Sequence, residues 1–179
     1  MQQDINALIE FVLRHAEDIR TCVAQKREEN NGHGHTGGGS TGHMRISDPT
    51  ALEAIRAVEP IEFIHCPYGT VINGRRETKY IRWPEKWVLV EQATKERYYL
   101  RHEGCRDERG KTIREVYFRR YLKGDCWEGW HQTCRETNIS RGTYYAIKND
   151  IMRFAGQYAH GMGLVLMSDL RIMLSLAHR

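Results

Sequence analysis

The sequence predicts a mainly α fold, on three observations. Apolar residues recur at three- and four-residue steps through most of the 179 residues, the interval at which they share one face of a helix. Proline, which interrupts helices, occurs only 4 times. The stretch 61–83, which has apolar residues but not that period, is short and punctuated by turn residues, so it reads as an insert between helices.

From Asp4 to about Lys26, Ile5, Leu8, Ile9, Val12, Ala16, Ile19 and Val23 form a single apolar stripe, with Asp4 placed as N-cap. Residues 1–27 are therefore expected to be one amphipathic helix. Residues 28–47 include NNGHGHTGGGSTGH, which has no apolar side chain. They are expected to form a flexible linker that makes the first helix detachable. Structure is expected to restart at Asp48-Pro49, with Leu52, Ile55 and Val58 lining a short helix that ends before Pro60. Tyr68-Gly69 and Asn73-Gly74 mark turns and suggest a small hairpin or an irregular loop. Pro84 opens a further helix to about Tyr99, which completes a central region of 48–105.

A C-terminal domain is expected over 106–160, followed by a tail helix over 161–179. Glu103 to Gly110 reads as a polar hinge. Thr112 and Glu115 stand at the spacing of a capping box and predict a helix over Thr112–Leu122, with Gly124 as its terminator. Asp125 to Phe154 then reads as helix, tight turn, helix. The first helix covers about Trp127 to Thr137. Asn138 takes the left-handed position, Ile139 points inward and Ser140 caps the second helix. Tyr144, Ile147 and Ile151 face inward, which leaves Arg141, Gly142, Thr143, Tyr145, Lys148 and Asn149 outside.

This is the pattern of a helix-turn-helix, in which the start of the second helix meets base edges in the major groove of double-stranded DNA. Arg141 suits guanine and Asn149 adenine. Gly142 permits close approach to the sugar-phosphate backbone, and the amides around Ser140 suit a phosphate. Lys148 and Arg153 add sequence-independent phosphate contacts, and Thr143 and Tyr145 complete the candidate interface. Net charge fits this reading. The chain carries +4, and between Arg106 and Arg153 11 Lys and Arg stand against 7 Asp and Glu. A basic strip of Arg75, Arg76, Lys79 and Arg82 is either a further phosphate contact or a solvated hairpin face.

The run EVYFRRYLKGDCW followed by WHQTCRETNISRGTYYAI is similar to the helix-turn-helix of sigma-factor region four. More closely, the chain resembles the phage late-gene transcription regulators of the ArpU and RinA type. The resemblance rests on Arg120-Tyr121, Gly124, a Trp opening the first helix, and Ser140. Ile46-Ser47-Asp48-Pro49-Thr50-Ala51 and Arg82-Trp83-Pro84-Glu85-Lys86-Trp87 also carry it. Counting from Ser140 makes Trp130 the family Trp, whereas counting from Arg120-Tyr121 makes it Trp127. Thr133 and Thr137 stand where the family usually has aliphatic residues. The resemblance implies sequence-specific regulation of phage or prophage late genes, in the cytoplasm of a bacterial host. RNA polymerase and a second copy of the chain are further candidate partners. The alternative is a phage terminase small subunit or another DNA-binding assembly protein.

Other classes have less behind them. The 5 cysteines are an odd number with no CxxC, so reduced thiols are expected. No signal peptide and no apolar run of roughly 20 residues is present, so no membrane partner is expected. His102, Cys105, Cys126, His131 and Cys134 have irregular spacing for zinc, and neither a metal nor another cofactor is expected. No catalytic motif occurs, and the chain is not expected to be an enzyme.

Overall fold

The computed structural model describes residues 4–32, 59–72, 75–124 and 127–168. They are mainly helical, with one two-stranded sheet. The chain divides into two compact units, Met1–Ala16 with Lys86–Arg179, and Glu17–Glu85.

In the first unit, α1 (Ile5–Arg14) starts at Asp4, whose carboxylate accepts from the amides of Asn6 and Ala7 at 3.0 and 3.4 Å. Its stripe is covered: Leu8, Ile9, Phe11, Val12 and Leu13 are all buried. The helix packs on α6 (Arg141–Gly161) and on a π-helical turn at Phe118–Leu122. It is therefore an integral part of this unit and not the detachable arm expected from the sequence. Nor is Asp4–Lys26 one helix. The chain breaks at His15, whose ring stacks on Phe11 with centroids 4.5 Å apart and meets the edge of Trp127 at 4.8 Å.

The unit continues with α3 (Pro84–Tyr98) from Lys86 onward, which buries Trp87, Val90, Thr94 and Tyr98. A short 3₁₀ turn at Leu100–His102 leads to α4 (Glu108–Tyr117). Helix α4 begins four residues earlier than the capping-box spacing predicts. Asp107 is the N-cap, with its carboxylate accepting from the Gly110 amide at 2.9 Å. Thr112 lies inside the helix and donates to the Glu108 carbonyl at 2.8 Å. Gly110 is required by space: a Cβ there would lie 2.8 Å from Cys105 Sγ and 2.9 Å from His102 Nδ1. After the π-helical turn, Gly124 takes φ +72 and ends the segment.

In the second unit, α2 (Ala16–Gly32) runs from Glu17, so it extends into the stretch 28–47 expected to be linker. The rest of that linker and the helix expected from Asp48 to Val58 lie outside the described residues, as does the tail beyond Ser168. Strands β1 (Phe63–Ile72) and β2 (Arg75–Arg82) form an antiparallel hairpin. Asn73-Gly74, between the paired Ile72 and Arg75, is outside the described residues. Gly69, at φ +73, sits in the irregular stretch between Tyr68 and Ile72 and so marks a disturbance within a strand. Ile64, Cys66 and Ile81 point to the buried face. Arg27 of α2 ties this unit together. It donates to the Glu85 carboxylate and, at 2.7 Å, to the Glu59 carbonyl, while the other Glu85 oxygen accepts from the Ile61 amide at 3.2 Å.

Candidate nucleic-acid interface

Three helices of the first unit build the candidate surface. Helices α4, α5 (Trp130–Thr137) and α6 pack on one another. Helix α5 starts at Trp130, not Trp127. The three residues from Trp127 therefore belong to the preceding loop, where Glu128 is held by Arg119 and Lys123. Trp127 is half-buried there, with the Arg14 guanidinium 5.4 Å from its ring centre.

The α5–α6 corner forms for local reasons. Asn138 adopts φ 53 and ψ 42, and its amide donates to the Cys134 carbonyl. The amide of Ile139 donates to the same carbonyl at 3.2 Å. Ser140 Oγ then accepts from the Thr143 amide at 3.0 Å and lies 2.9 Å from Thr143 Oγ1. Behind the corner Tyr144 is 1% exposed, and its hydroxyl accepts from Arg120 Nη1 at 2.6 Å. Ile151, Met152, Ala155 and Ala159 continue the buried side of α6. Ile139 and Ile147 are only half-buried, and they line a cleft instead of sealing the core.

The residues singled out from the sequence divide into three groups. Ser140, Arg141, Gly142 and Thr143 are exposed at the start of α6. The Arg141 guanidinium lies over Trp130, 4.7 Å from the ring centre, and 5.5 Å from that of Tyr145, which is half-buried. Asn149 and Arg153 lie further along, Arg153 exposed and ion-paired with Asp150. Lys148 is elsewhere. It is half-buried on the inner flank of α6, where burial and the nearby guanidiniums of Arg120 and Arg14 push its ammonium pKa down against the pull of Glu10. Arg14 and Arg120 both pair with that Glu10 carboxylate.

The outward line of α6 is Gly142, Ala146, Asn149, Arg153 and Gln157, at steps of three and four. Ala146 and Gln157 were missed in the sequence reading, although counting helical steps from Gly142 finds both. Beside this line, between α4 and α6, lies a cleft of about 660 Å³ floored by Ile113, Ile139 and Ile147. Asp150, the one carboxylate on this part of α6, is neutralised locally. It accepts from the Tyr98 hydroxyl at 2.8 Å as well as pairing with Arg153. Burial, then this hydrogen bond, pushes the Tyr98 phenol up from its ordinary range.

Among the described residues, no three His, Cys, Asp or Glu side chains converge as a metal site would require. Among the same residues, no helix is long and apolar enough to cross a membrane. Comparison with protein-family models, curated proteins and solved structures finds no match to this chain.

Proposed function

We propose that the α5–α6 corner is a helix-turn-helix reading head, and that the protein is a sequence-specific regulator of transcription that binds double-stranded DNA. The single observation behind this is the outward line of α6, exposed at Gly142, Ala146, Arg153 and Gln157 and half-buried at Asn149, which begins at a capped N-terminus. Gly142 and Ala146 carry almost no side chain, so the helix start can lie close to a sugar-phosphate backbone. Asn149 and Gln157 bring donor and acceptor groups that suit base edges, and Arg153 brings a cation that suits a phosphate. Arg141, held over Trp130, projects from the first turn, where such motifs make base contacts. Lys148 is dropped as a phosphate contact, because it is half-buried on the inner flank. The resemblance to phage late-gene regulators supports control of phage or prophage genes as the setting.

Selection of binding sites from random-sequence duplexes by the full chain tests this reading. Enrichment of a short motif, with affinity that falls steeply as salt rises, is the expected result. Retention of duplexes without any enriched sequence would remove sequence-specific regulation. A stable ring of eight or more copies in solution would favour a DNA-binding assembly protein.

A further inference from the structure

The hairpin of the second unit has a face that its own folding does not require. Register pairs His65 with Tyr80 and Phe63 with Arg82, and all four point away from the buried face of Ile64, Cys66 and Ile81. An antiparallel hairpin with one covered face normally shows charged or small polar residues on the other. Here Phe63 is 44% and Tyr80 46% exposed. Their rings are stacked diagonally across the strands, with centroids 5.4 Å apart at 29°, and His65 meets the Tyr80 ring at 5.5 Å. Arg76 and Arg82 occupy the same face of β2 as Tyr80, and both are exposed. No carboxylate alternates onto this face within the described strands. Glu77 pairs with Tyr68 on the opposite side, and Glu62 lies just before β1, 3.5 Å from Arg82.

We propose that this face binds single-stranded nucleic acid, with Phe63 and Tyr80 stacking on unpaired bases and Arg76 and Arg82 meeting phosphates. Exposed rings beside Arg76 and Arg82, with Glu62 at the strand end as the carboxylate that Arg82 would exchange for a phosphate, fit a ligand that alternates flat apolar bases with anions. An acidic protein segment would supply the charge but not the flat π-faces, and a duplex keeps its base faces covered. The proposal is independent of the reading of α6, and it turns one half of the basic strip seen in the sequence into a directed surface. Lys79 is excluded from it, because Lys79 pairs with Cys66 on the inner side.

The test is fluorescence anisotropy of end-labelled 15-nucleotide oligothymidylate and oligouridylate with the full chain at low salt. Both arms carry the shared chemistry, and their ratio shows whether DNA or RNA is preferred. Salt-sensitive binding of at least one is expected. Tyr80→Leu, which keeps apolar bulk without a π-face, is expected to weaken it by about 5- to 150-fold, the range of one base–aromatic stack. Phe63→Leu is expected to do the same. Tyr80→Phe retains wild-type affinity and thermal melting, which separates stacking from hairpin integrity, and Arg141→Ala leaves single-strand affinity within about twofold. The proposal is overturned by absence of binding to both oligonucleotides. Equal affinity in the Leu and Phe variants, or a duplex competitor of the same length that binds through Tyr80 just as well, also overturns it.

Discussion

The guanidinium of Arg141, the first residue of α6, lies 4.7 Å from the ring centre of Trp130, the first residue of α5. The two helix starts are thereby coupled through side chains as well as through the turn. A long, exposed Arg loses rotamer freedom when it binds, and stacking sets part of that order in advance. Trp130→Leu is expected to weaken duplex binding by about 0.5–1 kcal/mol, the worth of an exposed cation–π contact. In a double-mutant cycle with Arg141→Ala, the two losses are expected to be less than additive. Fully additive losses would show that the stack does not position Arg141 for DNA.

Thr133 is fully buried in α5, and its hydroxyl has no hydrogen-bond partner. Its carbonyl is already taken by the Thr137 hydroxyl at 2.7 Å. Thr133→Val keeps the shape and removes a desolvated polar group, so it is expected to stabilise the protein by about 1 kcal/mol. Calorimetry should show a rise of roughly 2–4 °C in Tm for a chain of this size. An unchanged or lower Tm would mean that the hydroxyl is satisfied in solution.

Glu128 is 4% exposed and bound by both Arg119 and Lys123. Burial alone raises its carboxyl pKa, but the hydrogen bonds and charges of Lys123 and Arg119 outweigh this and hold it below the ordinary value. A depressed folded pKa stabilises the fold above the unfolded pKa of about 4.3, and that contribution fades as pH falls through the lower folded value. Glu128→Gln is expected to cost about 1.5–3 kcal/mol in urea unfolding at pH 7. The gap from wild type should close below about pH 4. A gap that persists undiminished in acid would assign Glu128 a packing role instead.

Cys66 is fully buried on β1, its Sγ donating to the Pro67 carbonyl at 3.8 Å, with Cys22 of α2 close by. Burial first, then the neighbouring Cys22, pushes its thiol pKa up to about 12. Since the thiolate is the nucleophile, Cys66 should resist alkylation at pH 8 until the second unit opens. Peptide mapping after iodoacetamide treatment is expected to find Cys105 and Cys134, both half-exposed, modified long before Cys66. Equal rates would contradict the buried pairing of β1 with α2.

Much of the corner was legible because its signals are local. Asn138 in the left-handed position and Ser140 as a cap depend on a few neighbouring residues, and both are found as read. The hairpin, left open against an irregular loop, was suggested for the same reason, through its turn residues. Three features were not, since each depends on contacts distant in sequence. The break at His15 is accompanied by a ring contact with Trp127, 112 positions away. The fixed place of α1 follows from packing on α6 and the π-helical turn. The inner surroundings of Lys148 include Glu10, Arg14 and Arg120, which no helical wheel of α6 alone contains. The start of α4 was local yet still misread, because Asp107-Glu108-Arg109-Gly110 looks like a loop until the Asp107 cap is paired with the Gly110 amide.

The central claim is that Arg141 and the outward line of α6 that follows it distinguish one DNA sequence from another. It is tested most directly by measuring Arg141→Ala side by side on a selected duplex and on a scrambled duplex at the same salt. A loss of about 1–3 kcal/mol on the selected duplex alone is expected, with folding unchanged. An equal loss on both would reduce Arg141 to a phosphate contact. Wild-type protein that binds neither duplex even at low salt would contradict the claim outright.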